Sequence, residues 1–154
     1  MTEEGLRRGR EISKEELAED LTLLGREVTQ PVRKLETFPN SHPGRRYLVT
    51  LECPEFTCVC PMTGQPDFAT IVIRYIPDQR ILESKSLKLY LWSYRNEGVF
   101  HEHVVNRILD DLVQALQPLY CEVVGKFNVR GGIAITVEAK YERPEAAGAA
   151  DGQG

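Results

Sequence analysis

At 154 residues, 42% hydrophobic and 27% charged, the chain has the size and composition of one globular domain with its own core. A net charge of −4 argues against a protein that coats nucleic acid, which needs a basic surface. No apolar run reaches the length of a membrane span, and the opening MTEEGLRRGREISKEE lacks the apolar core of a signal peptide, so a cytoplasmic location is expected.

Residues 1–12 mix charges with glycine without a hydrophobic period and read as a disordered arm. Ser13 to Glu16 is a candidate capping box. Leu17, Leu21 and Leu24 follow at helical spacing, with Gly25 as the stop. This short helix needs a surface to dock on. Val28 to His42 carries two prolines and no period and reads as irregular or extended. Arg46 to Cys53 reads as a strand with Tyr47, Val49 and Leu51 on one face, ended by Pro54. A loop, EFTCVCPMTGQP, leads to a second strand over Phe68 to Ile76, rich in β-branched residues, and to a turn at Pro77-Asp78.

Ser86 is the candidate N-cap of a helix over Leu87 to Arg95, with Leu87, Tyr90, Leu91 and Tyr94 on one face. Asn96-Glu97-Gly98 breaks it. Phe100 to Leu116 is the strongest helix in the chain, with Val104, Val105, Ile108, Leu109, Leu112, Val113 and Leu116 in one stripe and Pro118 closing it. Tyr120 to Val129 and Ile133 to Tyr141 read as strands joined by a tight turn at Arg130-Gly131-Gly132. The tail PEAAGAADGQG is small and polar and is expected to be disordered.

The order is hairpin, two helices, hairpin: an α+β fold, an antiparallel sheet from two hairpins with both helices on one face. The expected division is an N-terminal arm over 1–27, partly disordered, a single domain over 28–143 and a tail over 144–154. Four strands leave two open edges, which copies of the chain can pair to form a ring-like homo-oligomer.

The four cysteines, Cys53, Cys58, Cys60 and Cys121, read in a reducing compartment as buried hydrophobes, metal ligands or a nucleophile rather than disulfides. Cys60 and Asp67 stand at the two ends of a loop bent by proline and glycine. A thiolate nucleophile with a carboxyl group beside it to carry a proton is one reading. Spacing alone favours the plainer one, a half-buried cysteine and a turn aspartate. Cys58-Val59-Cys60 and His101-Glu102-His103 match no familiar zinc spacing, and on a helix the two histidines point to different faces, so no metal is expected. Lys85 and Lys88 are cations near a helix start, either a solvated face or an anion grip, and the location is mildly unfavourable for a cation. Arg130 with its glycines is a phosphate contact or simply a hairpin turn. Trp92 and Tyr94 read as packing residues. Phe100 and Glu102 offer an aromatic face and an acceptor-only carboxylate, which match a guanine-like edge bearing N–H donors.

Together, CPMTGQPDFATI, ESKSLKLYLWSYRNEGVFHE and GKFNVRGGIAI resemble the NADPH-dependent 7-cyano-7-deazaguanine reductase family of short, single-domain type. These are nitrile reductases of queuosine biosynthesis, a tRNA-modification pathway, and they share the ββααββ tunnelling fold with GTP cyclohydrolase I. The resemblance spans roughly Phe38 to Tyr141. It implies that Cys60 attacks the nitrile carbon to form a covalent thioimide and that Asp67 protonates the nitrogen. It implies that Glu102 binds the deazaguanine edge, with Phe100 against the ring and His101 near the reacting carbon. Lys85, Ser86 and Lys88, with Arg130, are implied to hold NADPH. Stacked rings of subunits with sites between neighbouring chains are implied too, with no nucleic acid bound directly and no membrane. Two alternatives come from other classes. A zinc-dependent cyclohydrolase-like enzyme acting on a purine or pterin is separated by a metal assay. A non-catalytic purine-binding module is separated by ligand binding that survives Cys60→Ala.

Overall fold

Alternation of inward and outward side chains builds the sheet. The computed structural model describes residues 9–24 and 30–144. The expected tail, the first residues of the arm and the helix stop at Gly25 lie outside the described residues. Strands β2 (Val49–Val59), β3 (Pro66–Ile76), β5 (Tyr120–Phe127) and β6 (Thr136–Glu142) form one antiparallel sheet in the order β2-β3-β5-β6. Two further three-residue strands, β1 (Thr37–Pro39) and β4 (Arg80–Leu82), pair with each other beside it. They lie where the sequence reads as irregular or turn, because three residues are too short to show a period.

In β3, Asp67, Ala69, Ile71, Ile73 and Tyr75 are all buried, one inward row at period two. Helices α2 (Ser84–Trp92) and α3 (His101–Leu116) cover that face. The α3 stripe Val104, Val105, Ile108, Leu109, Leu112 and Leu116 is buried as its spacing predicts. From α2 come Leu87, Tyr90 and Leu91, followed by Tyr94, which is fully buried. The Tyr90 hydroxyl meets the Tyr94 hydroxyl at 2.9 Å and donates to Asp111 at 2.5 Å, so both rings bury their polar tips satisfied.

Two local expectations are corrected. The first long strand does not stop at Pro54. It starts at Val49 and runs through the proline to Val59, with a register shift between Cys53 and Phe56. This is an edge strand, and a bulge on an edge accommodates a residue without an N–H. The second helix is capped by Glu83 rather than Ser86, and it ends at Trp92 rather than Arg95. The longer Glu83 side chain accepts from the amides of Lys85 and Ser86 at 2.7 Å each. Ser86 then turns inward, where its hydroxyl donates to Glu83 O at 2.8 Å and accepts from Glu36 N at 2.9 Å.

The N-terminal helix α1 (Lys14–Asp20) has its capping box: Glu16 N donates to Ser13 Oγ at 3.1 Å and Ser13 N to Glu16 Oε2 at 3.0 Å. It docks through polar contacts. The Thr22 and Leu23 amides donate to the buried Glu36 carboxylate, and Asp20 lies 3.0 Å from Arg80. Among the described residues, no helix is long and apolar enough to cross a membrane.

Candidate active site

β2 passes to β3 through a single tight turn. Cys60 N donates to Gln65 O and Gly64 N donates to Cys60 O, both at 2.9 Å. Cys60 therefore heads one turn of helix-like chain, where amides two and three residues on point back at its side chain. The Thr63 hydroxyl, the Thr63 and Met62 amides and the charge of Arg130 together bring the Cys60 thiol down from its ordinary value to about 7. The thiol is half-exposed. Cys58, two residues earlier, is fully buried, and burial pushes its thiol up to about 12, helped by the charges of Asp67 and Cys60. All four cysteines are free thiols.

The turn is seated on the α2–α3 connection. Val59 N donates to Glu97 O and Val99 N to Val59 O, both at 3.0 Å. A Cβ on Gly98 would stand 3.2 Å from Pro61 Cα, tighter than an ordinary contact, so glycine lets the loop lie this close without a shift. Glu97 is itself clamped by Arg33, and by Arg107 at 2.6 Å, which hold its carboxyl below the usual range. The two guanidinium groups sit 4.1 and 5.4 Å from the centre of the Tyr94 ring.

Asp67 is the second residue of β3, paired in register with Cys58 and only 6% exposed. A carboxyl group buried to that extent needs partners. Arg130, from the β5–β6 turn, bonds Asp67 Oδ1, and His101 Nε2, from the first residue of α3, lies 3.2 Å from Oδ2. His101 in turn stacks on Phe127 at 3.8 Å between ring centres. The second Arg130 nitrogen donates to Gln65 Oε1 at 2.5 Å and to Thr63 Oγ1 at 3.3 Å. The β5–β6 turn that carries Arg130 closes with Arg130 N to Ile133 O at 2.9 Å, and Gly131 and Gly132 take φ of 60° and 80°. The glycines thus serve the hairpin, and the arginine reaches inward to the Cys60 loop.

The structure brings the Cys60 loop, Asp67, His101 and Arg130 together from three separate parts of the chain. Phe100 caps α3 without a side-chain bond and is 57% exposed, and Glu102 is exposed two residues further on. Lys85 is half-buried, Lys88 is exposed and Ser86 is fully buried on α2. A cleft of about 1310 Å³ runs between β2 and α2, with Lys88, Trp92 and Arg95 on its helix side and Phe56 and Phe68 on its sheet side. Cys60 and Asp67 do not line it, but their neighbours Val59, Gly64 and Pro66 do. The cleft thus ends against the Cys60 loop. Sequence reasoning passed over Thr63, Gln65 and Phe127. Thr63 had a signal, since a hydroxyl three residues after Cys60 has the spacing of a capped turn; Phe127 had none. Among the described residues, no three His, Cys, Asp or Glu side chains group as metal ligands.

A family model described as QueF-like protein matches residues 66–146. The NADPH-dependent 7-cyano-7-deazaguanine reductase of Syntrophus aciditrophicus (strain SB) is 72% identical over 124 residues, 80% of this chain and 88% of that one. That of Anaeromyxobacter sp. (strain K) is 68% identical over 117 residues, 75% of this chain and 96% of that one. Among solved structures, the archaeosine synthase QueF-Like in the apo form superimposes with a TM-score of 0.59 at 27% identity. The match covers 62% of this chain and 94% of that one.

Proposed function

Because the chain belongs to the QueF-like family of NADPH-dependent 7-cyano-7-deazaguanine reductases, we propose that it reduces the nitrile of 7-cyano-7-deazaguanine to the aminomethyl group, in the cytoplasm, as a step of queuosine biosynthesis. The observation that carries the chemistry is that one guanidinium, Arg130, binds both the Cys60 loop and Asp67. A nucleophile and a proton carrier are thereby tied to one frame. Residues 28–143 are the catalytic domain of this reading.

A nitrile carbon is a poor hydride acceptor. The Cys60 thiolate adds to it, forming a C–S bond while the π pair moves onto nitrogen, which takes a proton from Asp67. His101, 3.2 Å away, offers that proton a return path. The thioimide carbon is then reduced, the C–S bond breaks and the thiolate leaves an imine. A second reduction with a further proton gives the amine. NADPH, when bound, supplies the two hydrides in turn, so each nitrile consumes two NADPH and two protons. The residues present fit that cofactor: the cleft is larger than ordinary small-ligand sites and carries Lys88 and Arg95 as cations with Trp92 as a flat surface. Lys88, with Lys85 on the same helix, binds its phosphates, while Ser86 fixes the helix start from within. Arg130 was implied for the same task, but its guanidinium is engaged by the Cys60 loop and Asp67. Glu102 accepts from the N–H edge of the substrate, with Phe100 against the ring. We also infer that copies of the chain assemble into a homo-oligomeric ring, with sites between neighbours.

Intact mass after mixing with 7-cyano-7-deazaguanine alone tests this. A single adduct mapping to Cys60, absent in Cys60→Ala and discharged by two NADPH per amine, is expected. Folded, reduced protein that gives neither adduct nor NADPH oxidation overturns the reading.

A further inference from the structure

His101 reaches Asp67 with one atom, Nε2, 3.2 Å from Oδ2. One contact does not fix a ring, because rotation about the side-chain bonds can carry the imidazole away. The second constraint is Phe127. Its ring lies face to face with the imidazole, 3.8 Å between centres and 10° between planes. Phe127 is 5% exposed and so is itself held. It is the last residue of β5, opposite Ala69 on β3. Asp67 stands two residues before Ala69 on the same inward row. Carboxyl group, phenyl ring and imidazole therefore meet at one corner of the sheet.

The chain makes room for this stack. Gly125 precedes Phe127 by two residues on the inward row of β5. A Cβ there would stand 2.6 Å from Val105 Cγ2 and 3.0 Å from Phe127 Cε2. Its absence lets α3 come down on the sheet one turn after His101 and leaves the phenyl ring its place. One strand thus sets both the start of the helix and the plane of the ring. The phenyl face is also the negative side of a quadrupole, which attracts a positive charge held over it. His101 bears such a charge while it holds the extra proton. We propose that Phe127 is a positioning residue for the reaction: seated in the space that Gly125 leaves, it fixes the imidazole plane of His101 so that Nε2 faces Asp67 and the proton passes between them.

The inference rests on the reductase reading for its consequence, and two readouts keep the failure of one apart from the failure of the other. The first needs neither nitrile nor NADPH. The full chain is treated with diethyl pyrocarbonate, and carbethoxylation of His101 is compared with that of the exposed His103 by peptide fragmentation. The ratio is expected to be low in the wild type and to rise several-fold in Phe127→Leu, as the ring is freed from Asp67. The second readout is the rate of the Cys60 adduct at saturating 7-cyano-7-deazaguanine without NADPH. Phe127→Leu lowers it by about tenfold, with the half-saturating nitrile concentration unchanged. In a His101→Gln background the same change lowers it by less than about twofold, because Phe127 acts through His101. A packing role alone would cost the same factor in both backgrounds. Equal losses in the two backgrounds, or a carbethoxylation ratio that stays at the wild-type value, overturn the inference. If Phe127→Leu does not fold, Phe127→Met, which fills the space without a flat face, decides by the same readouts. A wild type that forms no adduct removes the reductase reading, and the carbethoxylation ratio then decides this inference alone.

Discussion

Asp67 is buried because of where it falls in an alternating strand. Counting back in twos from Tyr75 through Ile73, Ile71 and Ala69 reaches Asp67, on the core side of β3. A carboxyl group there is costly unless satisfied, and its partners Arg130 and His101 come from two other elements. Cys58 stands opposite it in register and is sealed in the core, whereas Cys60 lies just past the strand and is half-exposed. The two thiols therefore part company on exposure, and burial keeps Cys58 protonated while Cys60 ionises near neutrality. Adduct formation is accordingly expected to be slow in acid, where Cys60 keeps its proton, and to rise through about pH 7 as it is lost. Cys58→Ala should leave that profile and most turnover intact, while lowering stability by about 1 kcal/mol for the small void left. Quenched-flow mass spectrometry across pH reads the first, and urea unfolding the second. Loss of the adduct in Cys58→Ala would mean that the nucleophile has been misassigned.

At the scale of elements, legibility tracked period and length. The α3 stripe and the alternation of β3 are long enough to fix type, face and near boundaries from spacing. The β1–β4 pair is too short for either. Pro54 misled because proline argues against a central strand, and nothing local reveals that β2 is an edge with a bulge. Ser86 misled because serine is the commoner cap, while Glu83 reaches two amides at once. In the site, Asp67 could have been found inward by alternation alone, but its partners could not, since Arg130 lies 63 residues away in the chain. The seating of the Cys60 loop on Gly98 was equally invisible, being a contact between segments distant in sequence. It has a testable consequence. Gly98→Ala sets a methyl group 3.2 Å from Pro61 Cα, tight enough that the loop must move by a few tenths of an ångström. Displacement on that scale at a reacting atom slows adduct formation, by about tenfold. Because the change lies at a half-open surface, thermal unfolding should move little. A rate equal to wild type would show that the loop position is not set by this contact.

Across the whole molecule, apolar exposure is concentrated at one end. Of the seven large hydrophobic side chains exposed among the described residues, five are Met62, Phe68, Phe100, Val129 and Ile133. Each lies within three residues of Cys60, Asp67, His101 or Arg130 along the chain. Exposed apolar side chains gathered at one place mark a binding surface, and a flat heterocycle covers only part of such a surface. The sheet also ends in two edges, β2 and β6, which a single copy leaves unpaired by any further strand. Both features are accounted for if a neighbouring copy completes the site. Ile133 is the sharpest probe. It is 64% exposed, and its backbone bonds to Arg130 do not involve its side chain, so Ile133→Glu should cost an isolated chain under about 0.5 kcal/mol. At a subunit contact the same change buries a charge without a partner. Light scattering behind size exclusion is therefore expected to give a multiple of 17.5 kDa for the wild type and a smaller species for Ile133→Glu. The variant should keep its circular dichroism while nitrile reduction falls with the assembly. A wild type that runs as a monomer with full activity would place the complete site within one chain, and the exposed apolar end would then belong to the substrate and cofactor alone.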